Sequence, residues 1–170
     1  MEFLNERVLK SIFLPGGVML LGSVSVVAQS KPGSVQGVWQ TVEVNIGGPT
    51  PRTIVVPQPG PYLTIITAKY YSRTEVQSDT PRPVIDAAKA TADELRAVWG
   101  PFVAEAGTYE ISGDTITMRP LASKSPAAMA PGAFIVSSFK LDGNTLWIAQ
   151  QRNQNGPYAS PVTFKLVRVE

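Results

Sequence analysis

Four glutamates, Glu43, Glu75, Glu105 and Glu110, fall on segments that alternate like β-strands. Two carboxylates brought together inside a cavity can act as acid and base once their surroundings push their pKa values apart. No fixed spacing links the four, and a carboxylate on the outside of a sheet needs no special explanation, so no catalytic residue is assigned. A second set is aromatic and polar. Tyr62, Tyr70, Tyr71, Phe102, Tyr109 and Trp147 lie on strand-like segments together with Arg73, Arg119, Gln150 and Arg152. Small-molecule pockets are mostly apolar with a few placed polar groups. The candidate pocket lining is therefore Tyr62, Tyr70, Arg73, Phe102, Tyr109, Arg119, Trp147 and Gln150. Strand alternation sends about half of any such set outward, and which face points inward is left open by the sequence. The chain has no His and no Cys. That removes disulfides, thiol nucleophiles, imidazole bases and most zinc or haem ligation. Asp86, Asp93 and Glu94 are too scattered for a calcium loop and suit the start of a helix instead. No metal and no cofactor is expected.

The elements that must position these residues are mostly strands. With 14 Gly and 15 Pro in 170 residues, a helical bundle is disfavoured, because both residue types interrupt a helix and both suit the turns between short strands. Residues 35–46 alternate and end at Gly47-Gly48-Pro49. Residues 50–61 carry Pro51, Pro57, Pro59 and Pro61, which predicts a loop with a brief edge segment over 53–56, placed to form a rim or lid. Residues 62–67 and 70–76 read as a hairpin, as do 102–111 with 115–121 and 134–141 with 145–152, and a last strand spans 162–169. The Asp142-Gly143-Asn144 turn is the strongest of the local signals. Thr91-Ala92-Asp93-Glu94 is a capping box that starts one helix over 92–99, stopped by Gly100-Pro101. Trp99, on that helix, is expected to pack in the core or over one end of the molecule. The fold class is all-β, an eight-stranded antiparallel up-and-down barrel with one short helix, since closure removes exposed edges.

At 44% hydrophobic and 16% charged residues, this is a foldable chain of single-domain size. A net charge of +2 without a basic run gives no footprint for nucleic acid. Arg7 and Lys10 precede a stretch without charge from Ser11 to Ser30, and Val26-Val27-Ala28 fits the small-residue rule for signal cleavage. The expected division is a signal peptide over 1–28, a linker over 29–34 and a barrel domain over 35–170, in a periplasmic or secreted protein without stable membrane insertion after cleavage. The alternative is a retained anchor, which Pro15-Gly16-Gly17 would interrupt.

Gly37-Val38-Trp39 just inside the first strand resembles the Gly-x-Trp start of lipocalins. The order of Gly37-Val38-Trp39-Gln40, Gly60-Pro61-Tyr62-Leu63-Thr64-Ile65-Ile66 and Ala106-Gly107-Thr108-Tyr109-Glu110-Ile111 is similar to the bacterial lipocalin-like domain family, over residues 35–170. The resemblance implies a barrel closed at one end by Arg168 stacked on Trp39. It also implies a small hydrophobic or amphipathic ligand, bound without catalysis. Two alternatives stand beside it: a structural or interaction module with a filled barrel, and a small-barrel isomerase or cyclase. Oligomeric state is open.

Overall fold

A computed structural model describes residues 33–58, 60–78 and 80–170. The expected signal peptide and its cleavage position lie outside the described residues. Ten strands form one antiparallel sheet: β1 (Gly37–Ile46), β2 (Arg52–Val55), β3 (Tyr62–Ile66), β4 (Tyr70–Val76), β5 (Phe102–Ser112), β6 (Thr115–Ser123), β7 (Ile135–Asp142), β8 (Thr145–Asn153), β9 (Gly156–Pro157) and β10 (Val162–Arg168). One helix, α1 (Ala92–Trp99), joins β4 to β5. Eight of the strands close into a barrel in the order β1, β3, β4, β5, β6, β7, β8, β10, and β10 pairs with both β8 and β1. The short β2 and β9 lie off this ring, on β1 and β8.

Short turns gather at one end. The 142–144 turn there has Gly143 at φ 56°, a left-handed conformation that glycine adopts without the penalty of a Cβ. The loops at the opposite end are long, at 47–61, 77–101, 124–134 and 154–161. One end is thus tied by tight hairpins, and the other is surrounded by irregular chain able to shape a rim.

The core follows the pleat. Trp39, Ile66, Tyr71, Ile116, Leu146 and Leu166 fill the short-turn end, and Val44, Tyr62, Met118, Ile148 and Phe164 continue towards the long loops. Three irregularities shift the alternation. In β1 the register with β10 slips between Thr41 and Glu43, so Trp39 and Thr41 are buried before it and Val44 after it. Similar shifts sit opposite Ala106/Gly107 and Val136/Ser137. Bulges of this kind bend strands and support barrel curvature.

The capping box of α1 forms as its sequence predicts. The Thr91 hydroxyl accepts from the Glu94 amide at 3.3 Å, and the Glu94 carboxylate accepts from the Thr91 amide at 2.8 Å. The Thr91 amide and the Thr91 hydroxyl, which also donates to the carboxylate at 2.8 Å, hold the Glu94 carboxyl below its usual range. At the other end of the helix the Lys124 ammonium donates to the carbonyls of Trp99, Gly100 and Phe102, placing a cation where the helix dipole favours it. The expectation for Trp99 is corrected. No residue of α1 is buried, and Trp99 is 52% exposed, packed edge-on against Phe102 at 6.0 Å. Eight residues tied down at both ends have no need of a core contact, and none of them lines the open end of the barrel.

Candidate functional site

The tightly turned end is sealed by Trp39. Its side chain is 0% exposed, its indole N–H donates to the Val35 carbonyl at 2.8 Å, and the Arg168 guanidinium lies 4.1 Å above the ring centre. Trp39 and Arg168 are cross-strand partners between β1 and β10, which brings the two side chains together. Arg168 also donates to the carbonyls of Ser34 at 2.7 Å and Gln36 at 2.5 Å, so it ties the incoming chain across the barrel end. Gly37 has φ 146° and faces this cluster. A Cβ there would press into the Arg168 guanidinium and lie 2.6 Å from the Glu170 carbonyl oxygen. The glycine of the Gly-x-Trp tripeptide therefore makes room for the arginine.

The opposite end opens into a cavity of about 460 Å³. Its walls are mixed: Ile46 from β1, Ile54 from β2, Tyr62 from β3, and Val162 and Phe164 from β10 supply apolar surface, and Arg52, Gln77 and Ser78 supply polar groups. The edge segment expected as a rim is β2, and it supplies this wall by pairing with the end of β1. Two further polar groups are shared with a deeper space. Arg73 from β4 and Gln150 from β8 line this mouth and also a second, smaller cavity of about 20 Å³ within the barrel, with Phe164 as a third shared wall.

Around the inner cavity stand Glu75 and Glu105, 1% and 8% exposed, with Tyr71 and Ser137. Arg73 bridges the two carboxylates, its Nε 3.5 Å from Glu75 and its Nη2 3.6 Å from Glu105. Its guanidinium carbon lies 5.3 Å from the centre of the Phe164 ring. Glu75 accepts one further bond, from the Gln77 side-chain amide at 3.0 Å. The Tyr71 hydroxyl, Arg73 Nε and Glu75 Oε1 are buried atoms without a hydrogen-bond partner among the described residues. Buried polar atoms ordinarily find partners; here Arg73 Nε and Glu75 Oε1 meet only each other, as the 3.5 Å ion pair, and the Tyr71 hydroxyl has no hydrogen-bond partner among the described residues. Burial, reinforced by the nearby Glu105 carboxylate, pushes the Tyr71 hydroxyl well above its ordinary pKa. It stays a neutral phenol at physiological pH.

Of the eight candidate lining residues, Tyr62, Arg73 and Gln150 come together at the mouth. Tyr70 is exposed on the outer face of β4. Phe102 packs beside α1, with the Arg82 guanidinium 5.2 Å from its ring. Tyr109 is at the closed end, where its hydroxyl donates to the Thr67 carbonyl at 2.7 Å. Arg119 pairs with Glu110 on the outside at 3.6 Å. Trp147 stands between the buried Leu146 and Ile148 and carries Lys140 over its ring at 5.6 Å. These five lie away from the mouth because the pleat turns Tyr70, Arg119 and Trp147 outward and the chain sets Phe102 and Tyr109 elsewhere. Tyr71, Glu75 and Glu105 are the inward residues beside Arg73, and their shared odd numbering with it on β4 is the signal for the first two.

No known protein family matches this sequence, and no curated protein matches it. Among solved structures, the chain is similar to an uncharacterized protein from Bacteroides eggerthii, at 8% identity and a TM-score of 0.41, over 78% of this chain and 98% of that one.

Proposed function

We propose that this chain is an exported, lipocalin-like barrel that binds a small amphipathic molecule without chemistry, its apolar body in the mouth and its polar end against Arg73 and Gln150. The observation that carries the reading is the mouth itself: a space of about 460 Å³ where apolar Ile46, Ile54, Val162 and Phe164 stand beside polar Arg52, Arg73, Gln77, Ser78 and Gln150. Such a layout suits a ligand that is greasy at one end and polar at the other. Each methylene transferred from water to those walls contributes about 0.8 kcal/mol. The closed half of the barrel is filled by Trp39, Ile116, Leu146 and their neighbours, so the ligand sits high in the barrel. The Trp39–Arg168 closure supports the lipocalin-like resemblance, and the uncharged stretch after Lys10 supports export.

The test is a titration of the full chain with N-phenyl-1-naphthylamine, an apolar dye that brightens in a dry pocket. Wild type is expected to raise its emission, and Val162→Trp, which fills the mouth, to abolish the rise while circular dichroism stays unchanged. An equal response from both proteins would overturn the reading. A second reading, an isomerase or cyclase, is favoured by the placement of Glu75, Glu105 and Tyr71 around one cavity. It predicts that a ligand incubated with the protein is recovered as an isomer, whereas binding alone returns it unchanged.

A further inference from the structure

The inner cavity carries an imbalance of charge. Two carboxylates, Glu75 and Glu105, face it, and Arg73 is the only cation among the described residues that wall it. The remaining walls are Tyr71, Gln150, three hydroxyl residues and apolar side chains. A buried carboxylate without full compensation is costly, because the interior replaces little of the hydration it loses. Arg73 answers both glutamates from 3.5 and 3.6 Å, beyond ordinary hydrogen-bond distance for a charged pair. Among the described residues Glu75 Oε1 has only that long contact with Arg73 Nε, and the hydroxyl of Tyr71, a residue only 2% exposed, has no hydrogen-bond partner.

We infer that this cavity receives the protonated head of a primary amine whose apolar chain lies in the mouth. Three properties fit. An ammonium adds one positive charge, making two cations against two carboxylates. It has three donors and no acceptor, and the cavity lining offers acceptors in the Glu75 and Glu105 carboxylates and the Tyr71 oxygen. It is about the size of a water molecule, and a cavity of about 20 Å³ holds one such group and no more. Arg73, Gln150 and Phe164 wall both spaces, so a chain in the mouth meets the cavity at those three residues. The inference rests on the mouth being a binding site, and it adds the chemistry of the head group.

The experiment is calorimetric titration of the full chain at pH 7 with four probes that share one chain: octylamine, octanol, octanoate and octyltrimethylammonium. Octylamine, protonated at this pH as a lysine is, is expected to bind about tenfold or more tighter than octanol, the advantage of charged over neutral hydrogen bonding. Octyltrimethylammonium should lose that advantage, since its methyl groups exceed the cavity and remove every donor. Octanoate should bind weakest. Glu75→Gln and Glu105→Gln should each reduce octylamine binding about tenfold and octanol binding by much less, and the wild-type ratio of amine to alcohol decides the matter if a variant fails to fold. Equal binding of octylamine and octanol would overturn the amine head while leaving the mouth as a binding site. Tightest binding of octanoate would overturn it in favour of Arg52 and Arg73, which both line the mouth. Binding of none of the four would overturn both readings.

Discussion

Replacing Arg73 with methionine keeps a long unbranched side chain and removes the charge that joins Glu75 to Glu105. Both glutamates are almost completely buried and each has an oxygen within 3.6 Å of the guanidinium. Removing one partner of a buried pair costs about 3–5 kcal/mol, because a charge is left without compensation. Lost stacking on Phe164 adds about 0.5–2 kcal/mol. The Arg73 side chain is 19% exposed and therefore partly hydrated, which draws the expected total to roughly 3 kcal/mol, a large share of the stability of a domain. The triple variant Arg73→Met, Glu75→Gln, Glu105→Gln separates the cause. If orphaned charge is what destabilises the single variant, neutralising both glutamates should recover about 2 kcal/mol or more, as replacement of a whole ionic cluster often does. Urea unfolding midpoints with matched slopes measure both numbers. A loss under about 1 kcal/mol in the single variant, or a triple variant less stable than the single, would refute a buried ionic cluster held by Arg73.

Three other outcomes follow from the same geometry. Trp39→Ala should cost about 3–5 kcal/mol and Arg168→Ala less, with the double variant losing less than the sum because either change already removes the stacked pair; strictly additive losses in denaturant midpoints would show that the pair does not act as a unit. Gly37→Ala should cost roughly 1–3 kcal/mol from a strained backbone and a Cβ driven into Arg168, and pairing it with Arg168→Ala should relieve part of that loss; a neutral Gly37→Ala would contradict the close approach. The Tyr71 pKa is raised in the folded state, so the stability it contributes is fully present below the unfolded value of about 10 and is lost as pH rises above it, by at most about 1.4 kcal/mol per pH unit. Tyr71→Phe should therefore flatten the alkaline limb of stability against pH, read by urea midpoints between about pH 9 and pH 11.

Turns, caps and strand identities were legible because each has a local cause. Asp142-Gly143-Asn144 supplies a left-handed turn residue, Thr91 and Glu94 close a capping box, and prolines cluster where strands stop. Facing was not, because it depends on register across the ring. In β1, the buried residues are the odd-numbered Trp39 and Thr41 before the slip in register and the even-numbered Val44 after it, since Val42 is the extra residue there. A fixed alternation applied to 35–46 cannot give both halves correctly. Parity nevertheless carries information within a strand that has no bulge. Tyr70 and Arg73 differ by an odd number, so one of them must point outward on β4, and the same holds for Trp147 and Gln150 on β8 before its bulge. Choosing Arg73 as an inward anchor selects Tyr71 and Glu75 with it. Glu105 is different in kind: its place opposite Arg73 comes from pairing of β4 with β5 across α1 and two loops. The helix spans 92–99, but the intervening length sets no register by itself, and only the closed ring brings that second carboxylate to the guanidinium. The one-strand triplet of Tyr71, Arg73 and Glu75 is thus readable from local pattern, whereas the excess negative charge on which the amine inference depends is a property of the barrel.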